Sequence, residues 1–157
     1  MDDDVRTARR PAARIDDGAI DWRRFRGYDG LYYWVLGANP ERQKVDLYFR
    51  LLPGARCPPH RHVGPTDTLV VEGEHRIWDQ RGDTWVIDQI RPAGTFAISE
   101  GDNFHSEQGG EEGAIVLLSM TAVDGVIWET FDEAGALVAT STVDDFARAL
   151  DRQRTLA

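Results

Sequence analysis

The stretch Gly54-Ala55-Arg56-Cys57-Pro58-Pro59-His60-Arg61-His62 runs through Val63-Gly64-Pro65-Thr66-Asp67 into Thr68-Leu69-Val70-Val71-Glu72 and the turn Gly73-Glu74. Its two histidines stand at i and i+2. In an extended strand that spacing points both side chains to one face, so both imidazoles can enter the interior of a small barrel and share one metal ion. A third nitrogen must then come from elsewhere. His105, in Ser99-Glu100-Gly101-Asp102-Asn103-Phe104-His105-Ser106, is the obvious donor.

Strand signals surround this stretch on both sides. Leu31 to Leu36 is aromatic and β-rich and ends in the turn cluster Gly37-Ala38-Asn39-Pro40; Val45 to Leu52 follows and closes on Pro53-Gly54. Further strand-like runs are Thr68–Glu72, His75–Trp78, Thr84–Ile90, Thr95–Ile98 and Ala114–Met120, and a hairpin joins Gly125–Thr130 to Ala136–Thr140. Eight or more short strands broken by Gly/Pro turns are the pattern of an all-β sandwich or barrel. One segment reads as a helix. Ser141 or Thr142 can cap it, Asp144 and Asp145 suit the positive end of its dipole, and Val143, Phe146, Ala149 and Leu150 share a face. This helix is expected on the outside of the β body or against a second subunit. The expected organisation is a flexible arm over 1–18, a barrel over 19–140 and the helix over 141–157.

Composition limits the partners. The chain has 157 residues with 27 acidic and 18 basic side chains, a formal charge of −9, which argues against a phosphate-backbone partner and against an anionic membrane. The longest apolar run, Ala114 to Leu118, is far short of a span, and the start Met1-Asp2-Asp3-Asp4 has no apolar signal core. Cys57 is the single cysteine, so no intrachain disulfide forms. A soluble protein of the cytoplasm is the expectation.

Gly54, five residues, His60, one residue, His62, four residues, Asp67, five residues and Gly73 closely resemble the first motif of the cupins. Ser99-Glu100-Gly101 through His105 resembles a degenerate form of their second motif, in which Pro-x-Gly-x-x-His is usual. The resemblance covers about residues 45–120 and implies a double-stranded β-helix, the jelly-roll barrel. Two departures stand out. Asp67 occupies the place of a ligating Glu, with a shorter gap before Gly73. Ser99 replaces Pro, one residue is added before His105, and no matching Asn follows.

His62-Val63-Gly64-Pro65-Thr66-Asp67 is further similar to the His-Ala-Gly-Pro-Gly-Glu run of acetylacetone-cleaving dioxygenases. That group, with the related dihydroxyacetophenone dioxygenases, uses a three-histidine iron(II) site. The resemblance implies His60, His62 and His105 as metal ligands. It places Asp67 beside them in the catalytic set, as an optional fourth ligand or as the partner of a ligating histidine. The implied activity is cleavage of a C–C bond in a 1,3-dicarbonyl or hydroxy-ketone type of small molecule with O2. The implied cofactor is a divalent metal, iron(II) first, with zinc, nickel and manganese also accepting imidazole.

Cupins also serve as non-catalytic metal-binding sensors, one group forming the zinc-bearing half of anti-sigma factors, and as non-redox isomerases or lyases. Both stand as alternatives. Family habit implies a homodimer or higher homo-oligomer, with Leu31–Leu36 as a candidate contact. The remaining candidates read more plainly: His75 as a surface or core hydrogen-bonding residue, Cys57 as a small hydrophobe, and Glu107 to Glu112 as a solvated acidic loop.

Overall fold

Val45, Leu47, Phe49 and Leu51 alternate with half-buried neighbours and are themselves buried, so the strand that carries them turns every second side chain inward. The same period of two builds most of the molecule. The computed structural model describes residues 15–156. Its strands are β1 (Arg23–Arg24), β2 (Leu31–Asn39), β3 (Lys44–Leu51), β4 (His60–His62), β5 (Thr66–Arg81), β6 (Thr84–Pro92), β7 (Phe96–Ser99), β8 (Asn103–Thr121), β9 (Val126–Phe131) and β10 (Leu137–Thr142), followed by the helix α1 (Val143–Thr155).

All pairings are antiparallel, in the order β1-β2-β3-β8-β4-β9-β10, with β5 joined to β8 and with β6 and β7 paired to β5. Strands β5 and β8 are long enough to serve both halves of the curled sheet. Residues 114–120 of β8 pair with 66–73 of β5 and with β3; residues 106–109 pair with 75–78; residues 103–105 pair with β4. The bend between the halves is made where Gly73 meets Gly113, at φ +72° and +77°. A Cβ on Gly73 would lie 2.1 Å from the Gly113 carbonyl oxygen, so only glycine fits. The expected all-β jelly roll is therefore the fold. Three readings differ: β2 runs through Gly37-Ala38-Asn39 where a turn is expected, Thr68–Glu72 and His75–Trp78 are one bent strand, and the acidic stretch after His105 is strand throughout.

The core holds Leu31, Val35, Leu47, Leu51, Val116, Leu118 and Met120. Beside it, an aromatic cluster joins Phe25 to Phe49 and to Trp128, each pair edge-to-face at 5.6 Å, and Trp128 to Phe146 of α1 at 5.4 Å. Helix α1 lies on β2 and β10 of its own chain. It starts with a reciprocal cap: Thr142 Oγ1 accepts from the Asp145 N–H at 3.2 Å, and the Asp145 carboxylate accepts from the Thr142 N–H at 2.8 Å. Val143, Phe146, Ala149 and Leu150 are buried, as their spacing predicts. Near its end, the buried Gln153 carboxamide accepts from the Val35 N–H and donates to the Val35 carbonyl, both at 2.9 Å. It completes the edge of β2 just past β1.

In the Leu31–Leu36 run, expected as a contact between copies, Leu31 and Val35 are core residues and Leu36 is exposed. Residues 1–14 of the expected arm lie outside the described residues; the part that is described touches the barrel, Asp17 accepting from Trp22 Nε1 at 3.0 Å and pairing with Arg50 at 3.4 Å. Among the described residues, no helix is long and apolar enough to cross a membrane.

Candidate metal centre

Strand β4 is three residues long, cut short by Pro58-Pro59 before it and by the Gly64-Pro65 turn after it. It sits between β8 and β9, with His60 opposite His105 and Thr130, and His62 opposite Asn103 and Trp128. Directly opposed residues of an antiparallel pair share a face. The register thus sets His105 beside His60 on the inner face, and the next inward position along β8 is Glu107. The His60 and His62 Nε2 atoms lie 3.1 Å apart, as do those of His60 and His105. Glu107 Oε2 is 2.9 Å from His60 Nε2 and 3.8 Å from His105 Nε2. All four side chains are buried, and their ligand atoms lie within 4.8 Å of one another.

Each of these groups is oriented from behind. The His60 Nδ1–H donates to the Pro58 carbonyl at 3.0 Å, which leaves its Nε2 lone pair facing inward. Thr66 Oγ1 stands 3.4 Å from His62 Nδ1. The fully buried His75 donates from Nε2 to Glu107 Oε1 at 2.7 Å and so fixes the carboxylate. Cys57 Sγ accepts from the Glu107 N–H at 3.1 Å and lies 3.6 Å from His60 Nδ1. It ties the Pro58 loop to β8.

Burial leaves two of the three imidazoles neutral, while the third is held charged. Burial pushes His62 down to about 3, helped by the charge of His60, and pushes His105 well below the ordinary imidazole range. Burial also opposes charge on His60, but Cys57 and Glu107 outweigh it and hold that ring well above its usual value. Glu107 is held well below the usual carboxylate range, because hydrogen bonds from His60 and His75 overcome its burial. His60 Nε2 faces two imidazole nitrogens and a carboxylate oxygen at 2.9–3.1 Å, and a single proton there can serve only one of them. A cation serves all. For metal–nitrogen bonds of about 2.1 Å, neighbouring ligand atoms lie about 3.0 Å apart at right angles and about 3.4 Å at the tetrahedral angle. The three spacings to His60 Nε2, 2.9–3.1 Å, match the former. Three imidazoles and one carboxylate fit a divalent ion such as iron, zinc, nickel or manganese.

Asp67 is not in this group. It lies between the buried Thr66 and Thr68 on β5, opposite Ser119, and the period of two turns it to the other face. The inward position belongs to Thr66, one residue earlier. The carboxylate that joins the histidines is Glu107, which the sequence assigns to a solvated loop. Glu111 and Glu112 are exposed, but Glu107 is on the inner face of β8. Its signal was available: His105 and Glu107 repeat the i, i+2 spacing of His60 and His62. His75 has the core hydrogen-bonding role that was one of its two expected readings.

On one side the cluster is walled by Phe25, Phe49, Pro58, Leu118 and Trp128. On the other, His62, His105 and Glu107 face a cavity of about 160 Å³ whose remaining lining includes Thr66, Thr68, Arg91 and Asn103.

The family model of the ChrR cupin-like domain matches residues 10–124. The chain belongs to that family. Its fold is similar to an RmlC-like cupin from Ralstonia eutropha JMP134, at TM-score 0.72 and 15% identity, covering 92% of this chain and 87% of that one. It is similar to an acetylacetone dioxygenase from Acinetobacter johnsonii at TM-score 0.69 and 15% identity, covering 88% and 89%. It also resembles the complex of SigE with the anti-sigma ChrR from Rhodobacter sphaeroides, at TM-score 0.53 and 20% identity, covering 75% and 62%. No curated protein matches the sequence. At these identities the structural likeness establishes the cupin fold of this ChrR-like domain and leaves its chemistry to its own residues.

Proposed function

We propose that this ChrR-like cupin is a metal-dependent dioxygenase that holds iron(II) and cleaves a C–C bond in a 1,3-dicarbonyl or hydroxy-ketone type of small molecule with O2. One observation carries the reading: three imidazole nitrogens and a carboxylate converge at the inner end of a cavity open to small molecules. His60, His62 and His105 are the metal ligands and Glu107 is the fourth; Asp67, on the outer face, is left without a role there. Iron(II) bound here would supply an electron source for O2 and a positive charge that favours an enolate over the neutral dicarbonyl. The chain does the rest. The Pro58 carbonyl, Thr66 and His75 hold the ligating side chains with their lone pairs inward. The Phe25–Phe49–Trp128 wall keeps water from the back of the site. The cavity admits the substrate from the side of His62 and His105.

Apo protein loaded anaerobically with iron(II), mixed with a panel of 1,3-dicarbonyls and then exposed to oxygen, should consume O2 in proportion to substrate lost. Iron confirmed bound with no O2 uptake across the panel would overturn the reading, and turnover under nitrogen would assign a non-redox reaction instead. The family match and the likeness to the anti-sigma ChrR favour a second reading, a metal-holding sensing or binding module without turnover. It expects metal uptake and no substrate consumption in either atmosphere.

A further inference from the structure

Arg91 is a charged group in the cavity that the metal centre does not use. It sits opposite His75 in the β5–β6 register, so it shares the inner face with His75, Ile77 and, across the next strand, Glu107. It is half-buried and lines the cavity with His62, His105 and Glu107. Its Nε donates to Gln89 Oε1 at 2.9 Å, which orients the guanidinium. Asp88 and Glu107 act on it through space, but Asp88 is bonded to Arg81 and Glu107 to His60 and His75, so among the described residues no carboxylate lies within ion-pair distance of Arg91. A planar cation with its terminal nitrogens unengaged is matched to a carboxylate, which it can hold through two parallel hydrogen bonds.

Charge balance points the same way. Three neutral imidazoles and one carboxylate leave a divalent ion at +1, and Arg91 brings the cavity to +2. The enolate of a plain diketone neutralises half of that; an enolate that also carries a carboxylate neutralises all of it. Thr66, Thr68 and Asn103 add further polar groups to the cavity lining. At about 160 Å³ the cavity is below the roughly 300 Å³ where pockets for drug-sized ligands begin, so the ligand has few heavy atoms. We infer that Arg91 is a specificity-determining residue, and that the substrate is a small oxygen chelator bearing a carboxylate that Arg91 reads. This rests on the metal centre proposed above.

The test is binding, not turnover. Protein loaded with redox-silent zinc(II) is titrated calorimetrically with pentane-2,4-dione and with 2,4-dioxopentanoate, the same 1,3-dicarbonyl with one methyl replaced by a carboxylate. The carboxylate alters the ligand's own affinity for metal, so the reference is the same ratio in Arg91→Met. The wild-type preference for 2,4-dioxopentanoate should exceed that reference by about ten-fold or more. Arg91→Gln, which keeps a polar group beside Gln89, should fall to the same reference and stands in should Arg91→Met fail to fold. Equal ratios in wild type and variants, with zinc content unchanged, overturn the role of Arg91 and leave the metal centre standing. A wild-type chain that takes up no metal overturns the metal centre and this inference with it.

Discussion

His75 shows how a residue without a motif can matter to a metal centre. It touches none of the ligating nitrogens closely, yet its hydrogen bond to Glu107 sets which carboxylate oxygen turns inward. Replacing such a supporting partner typically weakens metal affinity about 10–100-fold. His75→Leu should show a loss of that order in a competition titration against a chromophoric chelator. Asp67→Asn, on the outer face of β5, should leave the affinity unchanged. His60 and His62 were legible from the sequence because i, i+2 spacing survives any uncertainty in strand ends, and His105 because it stands in the degenerate second motif. The carboxylate was not. Thr66 and Asp67 differ by one place in register, and one place decides which face a side chain takes. Glu107 was hidden by company, since Gly109, Gly110, Glu111 and Glu112 make its neighbourhood look like a loop.

Helix α1 was legible almost residue by residue, because its cap, its charges and its apolar stripe agree. What could not be read was where it docks. Gln153, a polar residue in the last turn, is buried because it substitutes for a missing strand beside Val35. Gln153→Leu would leave a buried N–H and a buried carbonyl unpaired, and should destabilise the protein by about 1–3 kcal/mol in urea denaturation. At the other end, burial opposes the charge on the Asp145 carboxyl, but hydrogen bonds from Thr142 and the nearby Arg148 outweigh it and lower the group from its ordinary 3.8. A depressed folded-state value means stability that is present above the unfolded value and lost as pH falls through the folded one. The wild-type advantage over Asp145→Asn should therefore hold at neutral pH and fade only below about pH 4. An advantage that faded between pH 6 and 8 would point to a different group.

An all-β sandwich or barrel follows from turn spacing and strand alternation, and the jelly roll from the resemblance of the Gly54–Gly73 motif to the cupins. The continuity of β5 and β8 through both halves was the part not visible, because Gly73 reads as a turn and Glu107 to Glu112 as a loop when both lie within bent strands. For the molecule as a whole, a ligand that binds only the folded state raises stability in proportion to the logarithm of its excess, about 2.7 kcal/mol at one hundred times its dissociation constant. For a chain of this length that is a rise in Tm of about 5–11 °C. Saturating divalent metal should produce such a shift in scanning calorimetry, and His105→Ala should abolish it.

One consequence follows from the brevity of β4. With three residues it is held by few backbone bonds, and its neighbour across the ladder, His105, is 45 residues further along the chain. An ion shared by His60, His62 and His105 would clasp those distant segments together as a disulfide clasps two cysteines. Chelation should then act first on this one short ribbon, quickening amide exchange at Arg61 and His62 while the long strands beside it stay protected.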